Sequence, residues 1–177
     1  LHDAAEYDTV VATGEQVTAG LLAIVLQSMG VEARSFLGWQ LPIKTDGMHG
    51  RARIDEIDGR EAVELMEQGV VVVVAGFQGI GPDGRVTTLG RGGSDTTAVA
   101  LAAAFKADRC DIYTDVDGVY TTDPKLHRRA KKIKRIEYDE MLEMSSLGSK
   151  VMQPTSVQDA KLNMIDIKVK SSFVSKS

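Results

Sequence analysis

Residues 70–75 read Val70-Val71-Val72-Val73-Val74-Ala75, bounded by Gly69 and Gly76. Five consecutive β-branched residues with no polar alternation suit a parallel strand covered on both faces. Before this strand, Arg60 to Gln68 places Ala62, Leu65 and Met66 inward at helical spacing. Further back, Thr13-Gly14-Glu15-Gln16 opens a run in which Val17, Leu21, Leu22, Ile24, Val25 and Met29 recur as on a helix. Thr13 is the expected N-cap and Gly30 the stop. Short strands are expected at Val31 to Leu37 and Arg51 to Ile57, with a loop from Gly38 to Gly50 carrying Pro42 and Asp46-Gly47. Ahead of the first helix only Val10 and Val11 suggest a strand.

After the valine strand the chain is glycine-rich from Gly76 to Gly93, then alanine-rich and helical from Ser94 to Phe105. Arg109 to Thr114 reads as a strand and Asp115 to Pro124 as a turn-rich loop. Ile133 to Ile136 is a short candidate strand, Tyr138 to Ser145 and Lys150 to Lys161 are helices, and Ile165 to Val169 is the last strand. Strands alternating with helices predict an α/β fold, a mainly parallel sheet between helical layers. With no repeat, low-complexity stretch or linker, residues 1–177 are expected to form one domain.

Composition narrows the function classes. Of 177 residues, 21 are Lys or Arg and 25 are Asp or Glu, a formal charge of −4, the wrong sign for general nucleic-acid binding. Hydrophobic residues make up 43% and charged ones 26%, ordinary for a packed core and too apolar for a disordered chain. Uninterrupted apolar runs stay below ten residues, against the roughly 20 a membrane span needs. The opening Leu1 to Asp8 lacks a basic region followed by an apolar core, so no signal peptide is expected. Cys110, the single cysteine, is expected to be a buried small hydrophobe. A cytoplasmic protein with no membrane partner is the expectation. The histidines His2, His49 and His127 show no ligand spacing and read as surface groups; Met141 and Met144 read as core.

Parallel sheets bind ligands beyond the carboxyl ends of their strands, and three unusual loops fall there. The first is Gly76-Phe77-Gln78-Gly79. The second, Thr87-Thr88-Leu89-Gly90-Arg91-Gly92-Gly93-Ser94-Asp95, can bring backbone N–H groups and a helix dipole to an anion. In it Arg91 can fork onto a carboxylate or phosphate. The same loop is also explained as a glycine turn capped by Ser94, with Asp95 complementing the dipole. It fits neither the P-loop pattern nor the dinucleotide fingerprint. The third, Thr114 to Pro124, combines hydroxyls, carboxylates and Tyr120, which can stack on a base. Two ordinary turns, Asp117-Gly118 and Asp123-Pro124, explain it equally. Downstream, Lys125 to Arg135 holds seven basic residues in eleven, either a solvated face or a cationic rim that draws in a polyphosphate.

Taken together, these motifs resemble the aspartate kinases of the amino acid kinase family. The likeness rests on Thr13-Gly14-Glu15, Gly76-Phe77-Gln78-Gly79, Thr87 to Asp95, Tyr113 to Tyr120, Thr122-Asp123-Pro124 and Ser146-Leu147-Gly148-Ser149-Lys150, in that order. It implies a three-layer αβα sandwich and transfer of the ATP γ-phosphoryl group to the β-carboxylate of L-aspartate, giving 4-phospho-L-aspartate, the first step towards lysine, threonine and methionine. By resemblance, Glu15 holds the substrate amino group and Arg91 a substrate carboxylate, while Gly92, Gly93 and Ser94 line the junction with the phosphates. Asp95 orients the catalytic apparatus and Lys150 reaches the phosphates. Thr114, Asp115, Tyr120, Thr121, Thr122, Asp123, Pro124 and Lys125, with Ser94 and Lys150, form the nucleotide site. Mg2+ accompanies ATP.

Two departures accompany the likeness. The family's Lys-x-Gly-Gly segment and its C-terminal ACT domains have no match in these residues. The expectation is an N-terminally truncated domain that is inactive alone and belongs to a homo- or hetero-oligomeric parent. The alternatives are an amino acid kinase for glutamate or N-acetylglutamate, and a non-catalytic ligand-binding or assembly fragment.

Overall fold

The computed structural model describes residues 3–149 and 151–173. Two helices come first, α1 (Ala4–Val11) and α2 (Thr13–Ser28), followed by strands β1 (Ala33–Phe36), β2 (Ile43–Thr45) and β3 (Ile54–Ile57). Helix α3 (Arg60–Glu67) precedes β4 (Val71–Val74), the hairpin β5 (Gln78–Ile80) and β6 (Val86–Thr88), and then α4 (Gly93–Ala104). Strand β7 (Cys110–Thr114), helices α5 (Tyr138–Ser146) and α6 (Pro154–Asn163), and β8 (Ile167–Ser171) complete the order.

The fold is α/β, with parallel pairing in the places the valine-rich and Cys110 strands predicted. β1 pairs with β4 in parallel and β7 with β8 in parallel, while β3-β2-β5-β6 form a mixed four-stranded ladder. Two expected loops contain strands that composition conceals. β2 lies inside Gly38 to Gly50, and the hairpin β5–β6 lies inside Gly76 to Gly93. Three-residue strands are too short to print a period on the sequence. Val10 and Val11 belong to a helix, and the segment Ile133 to Ile136 forms no strand: the Ile133 N–H donates to the Val119 carbonyl, and the isolated bridge beside it joins Tyr120 to Lys132.

Helix α2 turns a different face inward from the one its large residues suggest. Ala12, Ala19 and Ala23 are buried, so the helix lies close on β1 and β4, whereas Val17, Leu21, Ile24 and Val25 are exposed. Met66 of α3 is likewise exposed beside the fully buried Ala62. In β4 the valines are exposed or half-buried, because among the described residues β4 pairs on one edge only. Together α1 and α2 are long and apolar enough to cross a membrane by composition. Their Asp8, however, is locked into the fold by hydrogen bonds from Gly50 and Thr88.

The larger core cluster joins Val99 and Ala102 of α4, Cys110 and Ile112 of β7, Val119, Met141 of α5, and Met152, Val157 and Ala160 around α6. It ties the third loop to the helix that begins at the second. Cys110 is a free thiol inside it, its pKa pushed up by burial. Met141 is buried and Met144 packs against the same cluster.

Candidate active site

The turn from Leu89 to Asp95 is built by close approach. Gly92 adopts φ 71, in the left-handed region, and stands at the N-cap position of α4. A Cβ there would fall 2.1 Å from the Gln153 side chain just ahead of α6, so only glycine fits. No side chain caps α4, which corrects the expectation for Ser94: the helix begins at Gly93, and Ser94 is exposed within its first turn. Thr13 is also no cap; α1 runs almost directly into α2 through Ala12, and the Thr13 hydroxyl donates back to the Val10 carbonyl. The free N–H groups of an uncapped helix start remain available to an anion.

Phe77 faces this turn in an unusual conformation, φ 67 for a non-glycine residue. Its N–H donates to Thr97 Oγ1 at 3.0 Å, its carbonyl accepts the Leu89 N–H at 3.0 Å, and the Thr97 hydroxyl donates to the Gly93 carbonyl at 2.8 Å. Such a backbone costs on the order of 1–2 kcal/mol and persists where its surroundings over-determine it. Sequence reading singled out this loop without seeing that Phe77 and Thr97 lock it to α4. A positive φ on phenylalanine leaves no compositional signal.

The Glu15 end of α2 is brought to the same place. Gln78, fully buried, accepts from Gln16 Nε2 at 3.0 Å and donates to the Ala12 carbonyl at 3.0 Å. In the β5–β6 register Gln78 pairs with Thr88. Glu15, half-buried, and the turn carrying Arg91, Gly92, Gly93, Ser94 and Asp95 therefore stand at one end of one hairpin. Arg91 and Ser94 are exposed. Asp95 is half-buried, and burial pushes its carboxyl pKa up.

A third support was missed on the sequence because it involves a histidine read as a surface group. His49 Nδ1 lies 2.8 Å from the carboxylate of the fully buried Asp8, which also accepts from Gly50 and Thr88. His127 is exposed as expected, and His2 lies outside the described residues.

The third loop is folded mostly on itself. The Tyr120 hydroxyl donates to Asp117 at 2.9 Å and Lys132 Nζ donates to the same carboxylate at 3.1 Å. These hydrogen bonds, Tyr120 first, hold the Asp117 carboxyl below its ordinary pKa. The Thr114 hydroxyl donates to Asp115, and Asp123 accepts the Lys125 N–H at 2.8 Å. Thr121, Thr122, Asp123, Pro124 and Lys125 are exposed, and among the described residues no hydrogen bond joins them to the Arg91 turn. Lys150 lies outside the described residues.

Most of the basic run is solvated, but Lys132, Lys134 and Arg135 line a cavity of about 770 Å³ between the 132–138 segment and β8. That cavity shares no residue with the Glu15 and Arg91 end.

The model of the amino acid kinase family matches residues 2–171. Aspartokinase 2 of Bacillus subtilis (strain 168) is 54% identical over 167 residues, which are 94% of this chain and 41% of the relative. An aspartate kinase of Pseudomonas putida is 55% identical over 168 residues, 95% of this chain and 41% of the relative. Among solved structures, E. coli aspartokinase III in complex with aspartate and ADP superposes with a TM-score of 0.89 at 38% identity, over 96% of this chain and 39% of that one. The chain thus spans about two fifths of the length of these relatives.

Proposed function

Since this chain belongs to the amino acid kinase family, we propose that it carries the substrate-binding core of an aspartate kinase, a site that passes the γ-phosphoryl group of ATP to the β-carboxylate of L-aspartate. The observation that carries the reading is the convergence of Glu15 and the Arg91–Asp95 turn at one end of the β5–β6 hairpin. Its relatives at 54% identity are aspartokinases.

In this reading Glu15 takes the substrate ammonium and Arg91 forks onto its α-carboxylate, leaving the β-carboxylate aimed at the nucleotide. A β-carboxylate oxygen bonds to the γ-phosphorus while the bond to the bridging oxygen breaks, and ADP departs with that electron pair. The nucleophile is already ionised, so no base has to remove a proton. Catalysis is then positioning and charge stabilisation. Past Gly93, whose N–H is taken by the Gly90 carbonyl at 3.1 Å, the uncapped start of α4 offers the Ser94 N–H to the equatorial oxygens, with Asp95 keeping that first turn in register. Lys150 is assigned to the phosphates by family resemblance. The adenosine half falls to Thr114, Asp115 and the Tyr120 to Lys125 segment. Among the described residues no three His, Cys, Asp or Glu side chains gather as metal ligands do. By the family resemblance, Mg2+ enters this proposal with the nucleotide substrate, held chiefly by phosphate oxygens and water. The parent protein would act in the cytoplasm, as an oligomer, in lysine and threonine biosynthesis.

The test is a chimera in which residues 2–171 replace the matching region of Bacillus subtilis aspartokinase 2, assayed by coupled ADP release. L-Aspartate should support turnover, and L-glutamate and N-acetylglutamate should not. A preference for either of the latter would overturn the reading.

A further inference from the structure

Asp8 is fully buried, and three chain segments meet on its carboxylate. The Thr88 hydroxyl donates to it at 2.6 Å and the Thr88 N–H at 3.1 Å; the Gly50 N–H reaches its two oxygens at 3.1 and 3.0 Å. His49 Nδ1 lies 2.8 Å away. An ionised carboxylate only accepts, so Nδ1 is the donor there. Burial pushes the carboxyl up, yet the hydrogen bonds from Thr88, His49 and Gly50 outweigh it and hold the group below its ordinary pKa. A buried charge is tolerated only with such a set of partners.

What these segments lead to gives the cluster its interest. From Asp8 the helix passes through Ala12 into α2, and Glu15 stands about two turns on. Thr88 ends β6, directly ahead of Leu89-Gly90-Arg91. The Gly50 carbonyl forms the floor of that turn: a Cβ on Gly90 would sit 2.9 Å from it. The two residues proposed to hold the two ends of aspartate are thus tethered from opposite sides to one carboxylate. Gln78 closes the same junction from the strand side.

We propose that Asp8 is a positioning residue for amino-acid substrate recognition, fixing the spacing between Glu15 and Arg91 without touching substrate. This rests on the aspartate kinase reading above. The requirement is for a carboxylate specifically. Asparagine has nearly the same volume, but its NH2 group would confront N–H donors that now find an acceptor.

Asp8→Asn in the chimera should raise KM for aspartate at least tenfold, change KM for ATP less than twofold and lower kcat less than threefold. A merely structural residue would shift both KM values or neither, and either result overturns the proposal. Should Asp8→Asn not fold, Thr88→Val removes one hydrogen bond and keeps the charge; a selective rise of about threefold in aspartate KM is then expected, and an unselective effect refutes it. Loss of aspartate turnover by the unmutated chimera would count against the kinase reading alone. The tether is read independently by hydrogen exchange on the 177-residue chain. In Thr88→Val, the hydrogen-bonded amides of Gln16, Leu89 and Gly93 should lose protection together while those of 110–114 do not. Confinement of the change to residues 48–50 and 88 would contradict the coupling.

Discussion

The carboxylate of Asp8 holds both the hydroxyl and the backbone N–H of Thr88, at 2.6 and 3.1 Å, across 80 positions of sequence. That relationship fixes α1, and through it α2, to the end of β6 from which the Arg91 turn departs. It also carries a pH consequence. The folded carboxyl titrates below its ordinary value, so its contribution to stability is present above the unfolded carboxyl's pKa of about 4 and is lost as pH falls through the lower folded value. The stability gap between wild type and Asp8→Asn, followed by denaturant melts, should shrink as pH falls below about 4. A gap independent of pH down to about 2 would mean that Asp8 is not ionised in the fold.

Arg91 is exposed beside the buried Gly93, free to meet a ligand. Arg91→Lys keeps the charge and loses the planar fork, a poor exchange at a carboxylate. In the chimera it should raise the aspartate KM by about tenfold or more, the cost of one lost charge-assisted bond, with ATP KM nearly unchanged. Equal damage to both substrates would remove Arg91 from the aspartate subsite.

Tyr120 should behave in the opposite sense. Its hydroxyl is tied to Asp117, so its ring is held and available to stack. Stacking of a base on an aromatic side chain contributes roughly 1–3 kcal/mol, so Tyr120→Ala should raise ATP KM by about tenfold or more while sparing aspartate KM. Tyr120→Phe keeps the ring and should cost about threefold or less. If the phenylalanine variant is as poor as the alanine one, the hydroxyl and not the ring is the working group.

Gly92→Ala meets both a left-handed backbone and the Gln153 side chain. Strain of about 1–2 kcal/mol should lower Tm by roughly 3–8 °C. The double variant with Gln153→Ala should regain part of the loss, because it removes Cγ, the atom at 2.1 Å, and leaves only the Cβ at 2.8 Å. No recovery would place the whole cost in the backbone.

The sequence disclosed what leaves a period or a punctuation mark. Val70 to Ala75 announced a parallel strand, and the Ser94 to Phe105 alanines announced a close-packed helix. Gly90 to Gly93 marked the turn, and Cys110 was buried as expected. Hidden were contacts whose partners are distant in the chain. Asp8 and His49 look like surface groups in isolation, and nothing local shows that Gly50 and Thr88 converge on them. The inward face of α2 was concealed for a related reason. Close approach to the sheet selects Ala12, Ala19 and Ala23, so the large aliphatic residues that mark the helix in sequence are left outside. The strands β2, β5 and β6 are three residues each and are created by pairing, not by propensity.

If the Glu15 and Arg91 site passes the γ-phosphoryl group to the β-carboxylate of L-aspartate, the product can be trapped with hydroxylamine. An acyl phosphate formed by the chimera from ATP and L-aspartate would be captured as a hydroxamate, and fragmentation mass spectrometry tells which carboxyl bears it. Aspartate β-hydroxamate is expected in proportion to ADP released, with loss of both on Arg91→Ala. Hydroxamate at the α-carboxyl, or ADP release with no hydroxamate at all, would contradict it.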